Sequence, residues 1–139
     1  MGLTPGQIDR CHTIWQVLCG GVPRALDVSE AHRHGSRTRF VEERAVVILG
    51  ADVVPGTGPT PNARMSMLAC LAHELAHADR YDLGYRRPSD LPDMLLDEAE
   101  TSLHASFVSV LSRRDREDLV EDARERLSDW LTSHEQVGR

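Results

Sequence analysis

His73-Glu74-Leu75-Ala76-His77 is the stretch of this chain whose residue types and spacing can do chemistry. On an α-helix, positions i and i+4 stack on one face, so both imidazoles can reach a single ion about 2.0–2.1 Å from each ring nitrogen. Glu74 follows the first histidine directly and points round the helix, where it can take a proton from a water that the ion activates. The His-Glu-x-x-His pattern thus joins metal binding to proton transfer, the two parts of metal-assisted hydrolysis. It needs a helix around it, a third protein ligand downstream and an open fourth coordination position.

The helix is well marked. Val54-Pro55-Gly56-Thr57-Gly58-Pro59-Thr60-Pro61-Asn62 cannot be helical, and Leu83-Gly84-Tyr85-Arg86-Arg87-Pro88 breaks the pattern again. Residues 62–82 between them hold no proline or glycine and are predicted to form an unbroken helix. Thr60 before Pro61, or Asn62 alone, reads as its N-cap and Gly84 as its stop. Met65, Leu68, Ala72, Leu75 and Ala76 recur at three- and four-residue intervals, which predicts a core-facing side next to the histidines.

A second helix is expected over Asp93–Phe107, after the turn at Pro88 and Pro92, and it offers Glu98, Glu100 and His104. At about 100° per residue the two glutamates point about 200° apart, so at most one faces the motif helix. Glu98, Ser102, Ser106 and Ser109 form a stripe of small residues that would let a neighbouring helix come close. Leu96, Ala99, Leu103, Phe107 and Val110 form the apolar stripe, flanked by Glu100 and His104, which can equally be a surface polar pair. The hydrophobic pattern alone leaves the choice of ligand open.

The motif, followed 21 residues later by Glu98 within Asp97-Glu98-Ala99, resembles the gluzincin arrangement, in which a Glu on the next helix completes a His, His, Glu set. The short chain and its Glu98-Ala99-Glu100-Thr101-Ser102 segment are similar to the ImmA/IrrE-type metallopeptidases of bacteria and their phages. The resemblance spans residues 62–111, with Thr101 and Ser102 in place of that family's Ala and Asn. It implies that Glu98 is the third zinc ligand and that the chain is a zinc metallopeptidase. It also implies a protein or peptide substrate, such as a bacterial transcriptional repressor, taken as an added strand along a sheet edge. The strand near residues 44–49 is the expected edge. Gluzincins often carry an acid one turn after the ligand, where this chain has Ser102, a weaker orienting partner. Metzincins need glycine and histidine where this chain has Arg80 and Leu83, which removes that family.

Around these helices the sequence predicts a minimal α+β, zincin-like domain spanning residues 1–139. A helix over residues 5–19 places Ile8, Cys11, Ile14, Trp15 and Leu18 on one side. Ala25–Val28, Thr38–Val41 and Arg44–Leu49 read as short strands, the last two a hairpin turning near Glu42-Glu43, and Asp115–Ser133 reads as an amphipathic helix through Leu119, Ala123, Leu127 and Trp130/Leu131. Tyr81 and Tyr85 read mainly as packing aromatics. Tyr85, in the loop between the ligand helices, is the better placed to offer a hydroxyl to an oxyanion.

Composition removes other classes. Three cysteines form no tight metal spacing and no disulfide scaffold. Cys70, one turn before His73, would suit a closed structural site, but the presence of Glu74 argues for an open one. Without a basic-then-apolar N-terminus or a membrane-length apolar run, the expected location is cytoplasmic. The net charge of −6 argues against strong nucleic-acid binding, and Arg33, His34, Arg37 and Arg39, like Arg113, Arg114 and Arg116, read as solvated patches. The competing reading of the whole is a zincin-shaped binding or regulatory module that cleaves little, and a weaker one is a zinc amide hydrolase acting on a small molecule.

Overall fold

In the computed structural model, which describes residues 1–137, Thr4 opens the first helix, α1 (Pro5–Cys19). Its hydroxyl accepts from the Gln7 amide and the Gln7 side chain accepts from the Thr4 amide, a reciprocal cap with Pro5 just inside. Cys11, Trp15 and Leu18 are buried along the predicted face. Three short strands follow, β1 (Leu26–Asp27), β2 (Arg39–Val41) and β3 (Val46–Ile48). β3 lies in the centre, parallel to β1 with Leu26 opposite Val47 and antiparallel to β2 with Phe40 opposite Val47. The hairpin turn at Glu42–Ala45 is the predicted one. The predicted edge is not: β3 is paired on both sides, and β1 and β2 are the two edge strands.

The motif helix starts later than its composition suggests. Pro61–Arg64 is a single 3₁₀ turn, Met65 is extended and buried, and α2 runs Met67–Asp82 with Ser66 as its cap, the Ser66 hydroxyl accepting from the Ala69 amide. Gly84, at φ 101°, then closes α2: its amide donates to the Tyr81 carbonyl and the Tyr85 amide to that of Arg80. This paired closure uses the left-handed backbone that glycine adopts without strain. Asp90 caps α3 (Leu91–Ala105), and α4 (Arg113–Val137) packs along it. Among the described residues the fold is therefore four α-helices and a mixed three-stranded sheet.

The inner face of α3 and its C-cap is Glu98, Ala99, Thr101, Ser102, Ala105 and Ser106, so the stripe of small residues packs as far as Ser106, whereas Ser109 is exposed. The expected apolar stripe fails beyond Ala99: Leu103, Phe107 and Val110 are exposed, Phe107 at 85%. Small side chains let the helices come close, and that closeness outweighs burial of the larger ones. α2 is built the same way, with Ala69, Ala72 and Ala76 buried. On α4, Leu119 and Ala123 join the core as expected, whereas Leu131 is half exposed.

A buried polar clamp joins the start of β2 to the segment leading into α2. Asp52 accepts from the Thr38 amide (2.7 Å), the Asn62 side chain (3.1 Å) and the Thr60 hydroxyl (3.1 Å), while Asn62 also donates to the Thr38 carbonyl (2.8 Å). Next to it, a Cβ on Gly50 would stand 2.3 Å from the Arg37 carbonyl carbon, so only glycine allows this approach. Asp52→Ala would leave two buried donors and one part-buried donor short of an acceptor and is expected to cost about 2–4 kcal/mol, read from urea unfolding. A loss below about 1 kcal/mol would show that the clamp is not structural.

Candidate metal centre

α2 and α3 bring the motif histidines to Glu98. Both His73 Nε2 (2.8 Å) and His77 Nε2 (3.0 Å) meet the same Glu98 Oε2. The three side chains offer donor atoms within 4.8 Å of one another, a set that can hold a metal ion. Glu100 is elsewhere, exposed and paired with Arg80 Nη2 at 3.0 Å, and His104 is exposed. The structure thus separates the two glutamates that the spacing left open. Burial pushes the Glu98 carboxyl up, but the hydrogen bonds and charges of both histidines outweigh it and hold the group well below the usual carboxylate range. Glu98 is therefore an anion, as a ligand must be.

The second ring nitrogen of His73 shows how the site is held. His73 Nδ1 lies 2.8 Å from Ser102 Oγ, and Ser102 Oγ donates to Asp122 Oδ2 at 2.5 Å. Asp122, ion-paired with Arg126 (3.3 Å), can only accept, so the single Ser102 proton points to it and Ser102 accepts from Nδ1–H. With Nδ1–H so engaged, Nε2, the atom turned to Glu98 Oε2, is the one a bound ion would take. Ser102 is thus not a weak substitute for an acid: it passes the contact to one on α4. His77 is braced differently, its ring parallel to Phe40 of β2 at 6.5 Å, with Phe40 edge-on to Tyr81 at 5.6 Å.

Glu74 is 4% exposed, and its Oε2 has no hydrogen-bond partner. Burial pushes its carboxyl up to about 8; His77 opposes the rise, and Glu98 and Asp52 add to it. A buried polar atom without a partner calls for an explanation, and Glu74 is one of the residues lining the cavity shared by His73, His77 and Glu98. That cavity, of about 110 Å³, is also lined by Thr38–Phe40, Arg87 and Arg126. It has room for water next to the three donors, which is the open position that a catalytic site keeps. Two aromatic nitrogens and one carboxylate oxygen are a donor set that zinc accepts, so the residues fit such an ion.

Tyr85 is not part of this cavity. The closure of α2 places it half exposed with the Arg80 guanidinium 4.2 Å from its ring centre, in an adjoining depression that shares His77. Its expected role as an oxyanion donor is corrected on that ground. Arg126 does line the cavity, 3.8 Å from Glu98 Oε2. Asp122 and Arg126 were not singled out in the sequence, although an acid and a base at i, i+4 beside the buried Leu119 and Ala123 are a readable anomaly on an apolar stripe. Cys70 is buried in the core, outside the donor set. No protein-family model, curated protein or solved structure matches this chain. Among the described residues, no helix is long and apolar enough to cross a membrane.

Proposed function

We propose that this chain is a zinc-dependent metallopeptidase of the gluzincin type, similar to the ImmA/IrrE-type enzymes, with His73, His77 and Glu98 as ligands and Glu74 as general base. The observation that carries the reading is the convergence of those three donors with the partnerless Glu74 carboxylate in one cavity. Bound zinc would supply Lewis acidity, bringing the pKa of water from 15.7 toward about 7 and polarising a carbonyl. Glu74 Oε2 has the freedom to accept a proton and return it to the departing amine, since nothing else holds it. Arg126, anchored by Asp122, faces negative charge that develops on the carbonyl oxygen. The outer edge of β2 lies along the cavity and offers main-chain groups to an extended peptide. A protein substrate such as a bacterial transcriptional repressor accords with the family resemblance.

The rival reading, a binding module with a degenerate site, draws on Ser102 and on the small size of the chain, and the first of these grounds weakens because Ser102 links Asp122 to His73. Asp122→Asn is expected to weaken zinc binding by about 10–100-fold, measured by competition with a chromogenic chelator. An unchanged affinity would remove the relay from the site. The proposal itself is tested by metal content and by cleavage of an unfolded fluorescent protein substrate. Near-stoichiometric zinc, with cleavage lost on chelation and regained on adding zinc, is the expected result. A folded protein without zinc, or cleavage indifferent to chelator, would refute it.

A further inference from the structure

The site has a second chemical character that metal binding does not use. The chain carries a net charge of −6, yet four arginines line its cavity: Arg37, Arg39, Arg87 and Arg126. Two are already engaged, Arg126 by Asp122 (3.3 Å) and Arg39 by Glu30 (3.2 Å). Arg37 has no side-chain partner among the described residues, and Arg87 only a long 3.9 Å approach to Glu98 Oε1. Both are exposed and both belong to the cavity lining. Neither is left there by chance of a floppy chain. The Arg37 backbone is packed against Gly50, and the Arg87 amide donates to Glu42 Oε1 at 2.7 Å, which ties the α2–α3 loop to the residue after β2.

We propose that Arg37 and Arg87 make the cavity selective for peptides bearing an Asp or Glu side chain close to the bond presented to the metal centre. The proposal rests on the peptidase reading for what happens to the peptide, but not for the binding preference itself. Guanidinium groups pair with carboxylates through parallel hydrogen bonds, a geometry that amide side chains of the same shape reproduce poorly. On a protein of net charge −6, unpaired cations at the cavity would both attract and orient an acidic peptide there. Arg37, one member of the basic cluster seen in the sequence, thereby acquires a use, whereas Arg33 and His34 stay outside the cavity lining.

The test is binding, which needs no turnover. Short fluorescein-labelled peptides with a central Asp or Glu are compared with matched Asn or Gln peptides by anisotropy, on the full chain with zinc and again after chelation. The acidic peptides are expected to bind about tenfold more tightly, the margin narrowing as salt is raised and disappearing in the Arg37→Ala/Arg87→Ala double variant. Equal affinity for both peptide sets, or no measurable binding of either, overturns the proposal. So does a single-stranded oligonucleotide that binds more tightly than the acidic peptides, since that would make the patch a phosphate-binding surface. Cleavage measured in parallel separates the two ideas: zinc-dependent cleavage without acidic preference retains the peptidase and discards the selectivity, and acidic preference without cleavage does the reverse.

Discussion

Replacing Glu74 with Gln is expected to lower turnover by about 10²–10⁴-fold while the zinc content stays that of the wild type. The side chain is absent from the donor set formed by His73, His77 and Glu98, so its removal takes no ligand away. Glutamine is also a close structural match. Burial pushes the Glu74 carboxyl up to about 8, so the metal-stripped protein at neutral pH already holds a neutral side chain at this position. The fold should therefore be indifferent to the exchange, and far-ultraviolet circular dichroism and the melting temperature serve as the control. What glutamine lacks is the capacity to accept a proton at Oε2, the atom that has no other partner. Turnover within tenfold of the wild type, in protein free of wild-type contamination, would take the general-base role away from Glu74.

Glu98→Gln should act on the other half of the chemistry, lowering zinc affinity by at least about 100-fold, more than the loss expected from an outer-sphere partner. The carboxylate is the one oxygen donor of the set and the only anion in it. Its charge also balances two imidazoles and two guanidinium groups, from Arg87 at 3.9 Å and Arg126 at 3.8 Å. Glu100→Ala is the internal comparison: Glu100 is half exposed and paired with Arg80, so zinc affinity should stay within about twofold. Mass spectrometry of the purified variants and chelator competition read both. Zinc retained in Glu98→Gln but lost in Glu100→Ala would reverse the assignment of the third ligand.

The difference between these two glutamates shows how far the chain alone can be read. Helical periodicity places His73 and His77 on one face because their spacing is local, and it requires that Glu98 and Glu100 diverge for the same reason. Which of them turns inward depends on which face of α3 packs. Hydrophobicity misleads there, since the packed face is made of Ala, Ser and Thr while Leu103 and Phe107 stay in solvent. The strands suffer from a related blindness. Val46–Leu49 reads as a strand from composition, but its central place follows from β1 joining it in parallel from far upstream. Asp122 lies 20 residues beyond Ser102 on another helix, so only the docking of α4 on α3 brings it to the histidine. Tyr85 shows the converse: its place in the chain, between the ligand helices, suggested the site, but the backbone closure at Gly84 turned it elsewhere.

The small residues that line the buried faces of α2 and α3 also determine how this chain can drift in sequence. Ala69, Ala72 and Ala76 on one helix and Ala99, Ser102 and Ala105 on the other are at most 2% exposed. In most cores, truncating a large side chain is the damaging change, because it leaves a void. Here there is little to truncate, and each added methylene must push the surrounding helices apart. Because the proposed ligands are distributed over both helices, such a shift moves His73 and Glu98 relative to each other before it unfolds anything. Variation that enlarges these positions should therefore silence the metal centre in chains that still fold, so a lineage could lose activity while its ligand residues remain unchanged.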